Sequence, residues 1–249
     1  MATLRDAWND RADAWARFAR TRGHDRWYEH VNLPAFLELL PPPGRATLDV
    51  GCGEGRVGAA LTRLGHRVTG VDTSPTLVAL AREHHDAVEA DAAALPFADG
   101  SFDLVIAFMS LHDMDDPPGA VGEAARVLAP GGRVCVALEH PLQKAGSWVD
   151  ADDPETAFVV DRPYLEERPF CDVVERDGIP MAFSGVDRPL SAYARALEDA
   201  GLVIEALREP VRGDAFVASY PRAAKWRRIP IFLHLRCRLA ADVGREEHP

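Results

Sequence analysis

The amino-acid sequence predicts an α/β fold, in which helices cover both faces of a largely parallel, doubly wound sheet. Strand-like and helix-like segments alternate between residues 46 and 138, which is typical of this fold class. The strand-like segments, such as Phe102–Phe108, are apolar at nearly every position, as expected for strands buried on both faces. A glycine-rich turn at residues 51–55 follows the first strand, at the edge where open α/β sheets bind ligands.

Composition and charge narrow the class of protein further. The chain has 249 residues, 47% of them hydrophobic, which suits a single globular domain that carries an insertion. No apolar run is long enough to span a bilayer and the N-terminal segment is charged throughout, so we expect a cytoplasmic protein without a membrane partner. The net charge of -11 argues against nucleic acid as a partner, because phosphate binding needs a cationic surface. The four cysteines are widely separated, which argues against a zinc site or a disulfide framework.

Two helices are predicted ahead of the first strand. Over residues 3–20, Trp8 and Trp15 recur at helical spacing between charged residues, which indicates an amphipathic helix. A second helical pattern runs from about residue 27 to residue 40 and stops at three prolines, which cannot continue a helix. We interpret residues 1–44 as a helical cap on the domain.

Residues 45–139 form the predicted core of the domain. Ser74 followed by Pro75 is a favourable helix start, because serine caps the first turn and proline is tolerated within it. The predicted strands cover residues 46–50, 67–71, 87–89, 102–108 and 133–138, and the predicted helices cover residues 56–64, 74–83 and 119–128.

Residues 140–189 interrupt the alternation and are rich in Pro, Asp and Gly. Within this insertion, residues 170–175 and 179–183 flank Asp177 and Gly178, which is a strong hairpin signal. Residues 190–249 then return to the sheet, with a helix at 190–200, a strand at 202–207 and a strand at 231–239. The strict alternation of the last strand predicts one buried face and an antiparallel place at that end of the sheet.

The glycine-rich turn begins with an acid, in the order Asp49, Gly51, Gly53 and Gly55. Glycine lets the backbone turn sharply and lets a ligand approach the main chain, and the following helix presents free N–H groups. By itself the turn also fits a structural bend without a ligand, or a nicotinamide or flavin dinucleotide site. Its spacing is GxGxG, whereas dinucleotide sites use GxGxxG.

Two further acids favour an adenosyl-bearing cation as the ligand. Asp72 ends the second strand, where a carboxylate can accept both hydroxyls of a ribose. Asp91 follows the third strand, where it can accept from an adenine amino group, with Ala92 and residues 95–97 as an apolar cover for the ring. Three acids at the carboxyl ends of three consecutive strands suit a cation better than a pyrophosphate.

These motifs together resemble a known family. LDVGCGEGR, VDTSP, DAAALPFADGSFDLVIAFMSLHDMDD and RVLAPGGRV look like the successive motifs of class I S-adenosylmethionine-dependent methyltransferases, over residues 46 to 136. The resemblance implies a Rossmann-like sheet of seven strands with the last one antiparallel, and S-adenosylmethionine as cofactor. It also implies that Asp49, Gly51 and Gly53 line the methionine moiety, Asp72 the ribose, and Asp91 with Ala92 the adenine, with Thr73 and Met109 close by.

The region after residue 140 more loosely resembles small-molecule methyltransferases of bacterial metabolism, in which N-terminal helices and an insertion cover the substrate. A substrate role is accordingly predicted for Trp15, Tyr28, His30 and Phe183, although core packing is the alternative for each. The accepting atom, O, N or C, is left open, as is the substrate, for which a secondary or quinone-like metabolite is expected. A homodimer is one alternative for the oligomeric state.

Two histidines are candidates for a general base. Methyl transfer is a direct displacement with a neutral leaving group, so the main tasks are to align the nucleophile and to exclude water. His112 follows the fourth strand and His140 follows the fifth, at the same edge of the sheet, and histidine can take a proton near neutral pH. The alternative for each is a hydrogen-bonded loop residue. His112, Asp113, Asp115 and Asp116 also form a hard-ligand cluster, for which an acidic loop is favoured over a magnesium site.

Three other functions stay open as hypotheses. The first is a methyltransferase-fold protein that binds the cofactor but catalyses a non-methylating reaction, such as a cyclisation, or acts as a regulatory module. The second is a Rossmann dehydrogenase, and the third is methylation of nucleic acid or protein, which the acidic balance disfavours.

Overall fold

Eleven strands and eight α-helices are seen in a computed structural model, which describes residues 3–176, 178–211 and 213–244. The strands are β1 Thr47–Val50, β2 Val68–Asp72, β3 Asp86–Glu89, β4 Phe102–Phe108, β5 Leu128–Glu139, β6 Gly146–Trp148, β7 Phe158–Val160, β8 Arg168–Arg176, β9 Ile179–Asp187, β10 Leu202–Arg208 and β11 Phe232–Leu239. The helices are α1 Leu4–Arg20, α2 Leu33–Leu39, α3 Arg56–Arg63, α4 Pro75–Ala81, α5 Pro117–Val127, α6 Pro141–Lys144, α7 Leu190–Asp199 and α8 Asp214–Ser219.

Seven strands form one sheet in the order β10-β11-β5-β4-β1-β2-β3. The pairs β4–β5, β4–β1, β1–β2 and β2–β3 are parallel, whereas β11 runs antiparallel to both β5 and β10. This confirms the predicted fold class, a doubly wound sheet of seven strands with the last one antiparallel. The carboxyl ends of β1, β2, β4 and β5 therefore lie along one edge of the sheet, which is where the sequence places the acids.

The prediction of one buried face for β11 is wrong over its first half. Phe232, Leu233, His234 and Leu235 are all buried, because β11 lies inside the sheet between β5 and β10. The second face is covered by the N-terminal helices, whose Asn32 lies with its Oδ1 2.7 Å from His234 Nε2. The polar residue His234 in this alternating pattern therefore makes a buried polar contact and does not face solvent.

The two faces of the sheet bury separate sets of side chains. On β4, Val105 packs with one apolar cluster while Leu104, Ile106 and Phe108 pack with the other. The second cluster contains Phe36 of α2, so the predicted N-terminal cap is part of the core. Full burial of such side chains contributes about 2 kcal/mol each, which holds the edge of the sheet rigid beneath the site.

The hairpin predicted in the insertion is present as β8 and β9, with Arg176 paired to Ile179. Gly178 in its turn has a φ of 74°, while the predicted turn residue Asp177 lies outside the described residues. Helix α1 packs on this hairpin, where Arg11 donates to the Ala182 carbonyl at 3.3 Å. A second, short pair, β6–β7, lies earlier in the insertion and was not predicted.

The N-terminal helices also follow the prediction, with one local departure. Helix α1 begins at a capping box in which Thr3 accepts from the Asp6 N–H. The second helical segment contains a π-helical turn, Tyr28–Asn32, directly before α2. Such turns are frequent at functional sites, and this one carries Tyr28 to the cavity described below. Within the part of the chain that the structure describes, the helices are too short or too polar to cross a membrane.

Candidate active site

A cavity of about 490 Å³ opens at the carboxyl ends of β1, β2 and β4. Its size is in the range of small-molecule sites. Helix α1 and the β8–β9 hairpin form its outer walls, so the cavity runs from the glycine-rich turn towards the insertion. The lining includes all of the residues predicted to bind the cofactor: Asp49, Gly51, Gly53, Asp72, Thr73, Asp91, Ala92 and Met109.

The glycine-rich turn forms a cradle that side chains would fill. Gly51 and Gly53 have φ angles of 72° and 56°, which L-residues with a Cβ rarely adopt. A Cβ at Gly51 would lie 2.5 Å from the Ser110 Cβ, and a Cβ at Gly53 would lie 3.4 Å from Trp15 Nε1. Glycine is therefore required at position 51 by both conformation and space. The main chain is left accessible to a ligand at this point.

Asp72 connects the end of β2 to the glycine turn. Its Oδ2 accepts the Gly53 N–H and its Oδ1 accepts the Ser74 N–H, both at 2.9 Å. Burial raises the pKa of Asp72, while these two hydrogen bonds oppose the rise by favouring the charged form. A carboxylate has about four acceptor positions, so capacity remains for the two hydroxyls of a ribose.

Asp49 is a buried acid at the base of the cavity. It is 1% exposed, and its Oδ2 has no hydrogen-bond partner among the described residues. Burial, followed by the neighbouring Asp72 and Glu54 carboxylates, raises the pKa of Asp49 to about 7. A buried acid with an unsatisfied oxygen, next to two further acids, fits a ligand that brings a positive charge, as S-adenosylmethionine does with its sulfonium and ammonium groups.

The third predicted acid, Asp91, lies at the outer part of the cavity. Its Oδ1 accepts the Ala93 N–H at 2.9 Å, and its Oδ2 is ion-paired with Arg5 of α1. The Asp91 side chain is 43% exposed, much more than Asp49. An adenine amino group that donated a hydrogen bond to Asp91 would therefore share this carboxylate with Arg5.

Three contacts hold helix α1 over the end of the cavity that contains the glycine-rich turn, Asp49 and Asp72, which we call the cofactor end. Besides the Arg5–Asp91 pair, the Leu4 N–H donates to Asp115 Oδ1 at 2.9 Å, and Trp15 Nε1 donates to Glu54 Oε2 at 2.7 Å. Trp15 was predicted to contact the substrate, but it lies beside Gly53 and so covers the cofactor end.

The other predicted substrate residues are separated by the structure. Tyr28 lines the cavity, with the Arg56 guanidinium 3.7 Å from the centre of its ring. Phe183 also lines the cavity and packs edge-on against Trp15 and Phe18. His30 does not reach this cavity, because it is on the outer side of its helix, where it stacks near Phe216 at 6.0 Å. A substrate role for His30 is therefore not supported.

The two predicted bases also differ in position. His140 lies outside the lining; its Nδ1 accepts the Leu142 N–H and caps α6, and its Nε2 is 3.0 Å from Glu209 Oε1. The prediction that His140 is a general base is therefore not supported, because its side chain caps α6. His112 does line the cavity and is buried, with Nε2 3.6 Å from Asp113 Oδ1.

Burial makes His112 a weak base. Desolvation, followed by the nearby Lys144 and Arg188 charges, lowers the pKa of His112 to about 3. The imidazole is therefore neutral at pH 7, and its protonated form is strongly disfavoured. General bases work best with a pKa near the operating pH, which His112 does not have.

Carboxylates occupy the far end of the cavity. Sequence reasoning considered Asp113 only as part of a hard-ligand cluster, for which an acidic loop was favoured, and assigned no role to Glu139 or Asp172. Asp113 and Glu139 line this end, and Asp172 of β8 joins them. Lys144 Nζ lies 3.4 Å from Glu139 Oε2 and 3.1 Å from Asp172 Oδ2. The signal for Asp113 and Glu139 was their position near the carboxyl ends of β4 and β5, whereas Asp172 and Lys144 come from the insertion and carried no signal.

Two acids of the hard-ligand cluster, for which an acidic loop was favoured over a magnesium site, have partners in the helices. Asp115 accepts the Leu4 and Arg5 N–H groups of α1, and Asp116 caps α5 by accepting the Gly119 N–H at 3.0 Å. Among the residues that the structure describes, no group of three or more His, Cys, Asp or Glu side chains is arranged to hold a metal ion. Asp115 and Asp116 of this loop therefore hold the N-terminal ends of α1 and α5.

Residues 48–136 match a family model described as a methyltransferase domain. An O-methyltransferase of Pyrenophora dematioidea is 29% identical over 211 residues, which cover 71% of this chain and 79% of the relative. A demethylmenaquinone methyltransferase of Thermus thermophilus is 40% identical over 132 residues, 49% of this chain and 58% of the relative. Further methyltransferases match over about half of their own length.

A solved structure agrees with these similarities over more of the chain. An S-adenosylmethionine-dependent methyltransferase from Mesorhizobium loti superposes with a TM-score of 0.69 at 27% identity, covering 82% of this chain and 96% of that protein. The similarity includes the region after β5, which the family model does not reach.

Proposed function

Because the chain belongs to the class I S-adenosylmethionine-dependent methyltransferases, we propose that it methylates a hydroxyl oxygen of a small aromatic molecule. The observation that carries the proposal is the form of the cavity at the carboxyl ends of β1, β2 and β4. At one end it has the glycine cradle with Asp49 and Asp72, and at the other it has aromatic rings with Asp113 and Glu139.

The residues at the cofactor end suit S-adenosylmethionine. The Gly51–Gly53 backbone and Asp49 would hold the methionine part, and Asp72 the ribose. When bound, the cofactor supplies a methyl group made electrophilic by the positive sulfur. The buried acids favour a cation at this end, and the neutral product of the cofactor loses part of that attraction.

The acceptor end suits a flat, neutral molecule with hydroxyl groups. Aromatic side chains bury large apolar area and stack on other rings, while the carboxylates between them accept hydrogen bonds from hydroxyl donors. Several relatives named O-methyltransferase support oxygen as the accepting atom. The aromatic side chains of the cavity lining include Trp27, Tyr28, Phe108, Phe170, Phe183, Trp226 and Phe232.

The cover contributes to catalysis by excluding water. Helix α1 and the β8–β9 hairpin form the outer walls of the cavity, so a bound acceptor would have less freedom to move away from the methyl group. Alignment of this kind supplies a large part of the rate enhancement of a bimolecular displacement.

The test is a panel of acceptors incubated with the full chain and S-adenosylmethionine. We expect catechol, hydroquinone and a naphthol to give methyl ethers and S-adenosylhomocysteine in equal amounts by mass spectrometry. Matched anilines serve as nitrogen acceptors. Methylation of the anilines alone, or S-adenosylhomocysteine binding without methylation of any acceptor, would contradict oxygen methylation. Calorimetry should show binding of S-adenosylhomocysteine and none of NAD, whereas binding of NAD alone would indicate a dehydrogenase.

A further inference from the structure

Two carboxylates meet at the acceptor end because their strands are parallel neighbours. Asp113 ends the 3₁₀ turn Leu111–Asp113 that follows β4, and Glu139 is the last residue of β5. Both line the cavity, with 20% and 32% of their side chains exposed. An acceptor at this end of the cavity would therefore meet them directly.

Charged groups surround Asp113 on every side. Its own turn contributes His112, β5 contributes Glu139, and α6 contributes Lys144. From the hairpin side come Asp187, at the end of β9, and Arg188, which follows it. The backbone of β9 packs closely here, since a Cβ on Gly185 would lie 2.8 Å from Asp113 Oδ1.

The balance of these effects makes the Asp113 carboxylate more basic than an ordinary aspartate. Burial is the largest effect and Glu139 adds to it, so the pKa of Asp113 is raised well above its ordinary value, although Lys144 and Arg188 oppose the rise. A carboxylate in this environment is a stronger base than one in water. The pKa of the adjacent His112 shifts in the opposite direction, because burial lowers it to about 3.

We propose that Asp113, rather than either histidine, takes the proton of the acceptor hydroxyl. As the O–H bond breaks, its proton bonds to a carboxylate oxygen of Asp113, and the electron pair left on oxygen forms the bond to the methyl carbon. The carbon–sulfur bond breaks at the same time, and its electron pair stays on the now neutral sulfur. Asp113 returns the proton to solvent before the next turnover. The inference rests on the proposed oxygen methylation.

The first test needs no turnover. The full chain, labelled with ¹³C at the aspartate side-chain carboxyls, is titrated in the presence of S-adenosylhomocysteine, and the Asp113→Asn variant identifies the Asp113 resonance. We expect this resonance to titrate well above the ordinary carboxyl range. We also expect it to shift on addition of catechol but not of 1,2-dimethoxybenzene, which has no hydroxyl. Titration in the ordinary range, or no shift with catechol, would overturn the proposal.

The second test compares pH–rate profiles on the phenol of the panel that is turned over fastest. We expect Asp113→Asn to lower kcat by about 100-fold or more, the range typical of a lost general base, and its remaining rate to rise with pH as the phenol itself ionises. Asp113→Glu should recover part of the rate. Asp86→Asn, at the exposed amino end of β3, is the matched control.

Each outcome separates the two proposals. If His112→Gln removes the acidic limb of the profile, the fall in rate at low pH, and Asp113→Asn keeps it, the proton acceptor is His112 and the inference is wrong. If the wild-type chain methylates no phenol, the proposed function fails. The titration of the Asp113 resonance then still decides whether this carboxyl has the protonation behaviour that the inference requires.

Discussion

The two ends of the cavity are built in different ways. The cofactor end consists largely of main chain, with the glycine turn, the N–H groups of Gly53 and Ser74, and acids at or next to the carboxyl ends of β1, β2 and β3. The acceptor end consists of side chains from the 3₁₀ turn after β4, from β5, β8 and β9, and from residues near 226–232. The first end is encoded within about forty consecutive residues, whereas the second exists only when distant segments have packed.

The charges of the two ends differ as well. At the cofactor end, Asp49 has an unsatisfied oxygen among the described residues and no cation beside it in the ion-pair network. At the acceptor end, Lys144 Nζ lies within 4 Å of carboxylate oxygens of Glu139, Asp172 and Asp187. Burial lowers the pKa of Lys144, but these acids raise it by more, so the pKa is raised overall. The comparison indicates that Asp49 at the cofactor end needs a cation from the ligand, while the acids of the acceptor end have Lys144.

The largest expected effect tests the close packing of the cofactor end. Gly51→Ala should destabilise the fold by about 3 kcal/mol or more, because the new Cβ both adopts a left-handed φ and meets Ser110 at 2.5 Å. Gly178→Ala in the hairpin turn has nearly the same φ but meets nothing within 4 Å, so about 1 kcal/mol is expected. Urea unfolding measures both. Equal losses would show that the turn at Gly51 is not tightly packed.

The second effect tests the missing cation. The folded pKa of Asp49, about 7, lies above its ordinary value of 3.8, so the folded chain keeps a proton that the unfolded chain has lost. This group therefore makes the ligand-free fold less stable as the pH rises, by about 2 to 3 kcal/mol between pH 5 and pH 8. Unfolding of the wild type and of Asp49→Asn at both pH values measures it. The Asp49→Asn variant should lack this part of the decrease in the free energy of unfolding. The same pH dependence in the variant and the wild type would contradict a raised pKa for Asp49.

The third prediction separates the two ends by ligand. Asp72→Asn should weaken S-adenosylhomocysteine binding by about 10- to 100-fold, because hydrogen bonds to a charged acceptor contribute about 1.5 to 3 kcal/mol. Asp113→Asn should change the same affinity by less than about twofold, since it acts at the acceptor end. Calorimetry of both variants checks this. A large loss for Asp113→Asn would mean that the two ends are one site for the cofactor.

The smallest effect concerns the cover. Trp15→Phe keeps a ring over the cavity but removes the hydrogen bond from Nε1 to Glu54, so S-adenosylhomocysteine affinity should fall about fivefold, the equivalent of about 1 kcal/mol. Trp148→Phe is the matched control, because Trp148 Nε1 is buried without a hydrogen-bond partner among the described residues. Equal effects of the two substitutions would place Trp15 outside the cofactor end.

Prediction from sequence succeeded where local chemistry decides the structure. The strand Phe102–Phe108 was predicted to the residue, and the Ser74 cap accepts the Leu77 N–H as expected. It was wrong for the exposed face of β11, since a helix nearly two hundred residues earlier in the chain covers His234. His140 was assigned a base by its position after a strand, but its side chain is turned to cap α6 and to meet Glu209.

The sequence by itself determined the cofactor end, because glycine conformation, helix capping and strand ends are properties of short segments, and the sheet order brings those segments to one edge. Only the tertiary structure decided the acceptor end. Burial and the charges of Glu139, Lys144 and Arg188, which come from other elements, separate the proton affinities of His112 and Asp113. Desolvation depends on what packs around a group, and adjacent residues in a sequence carry no record of it.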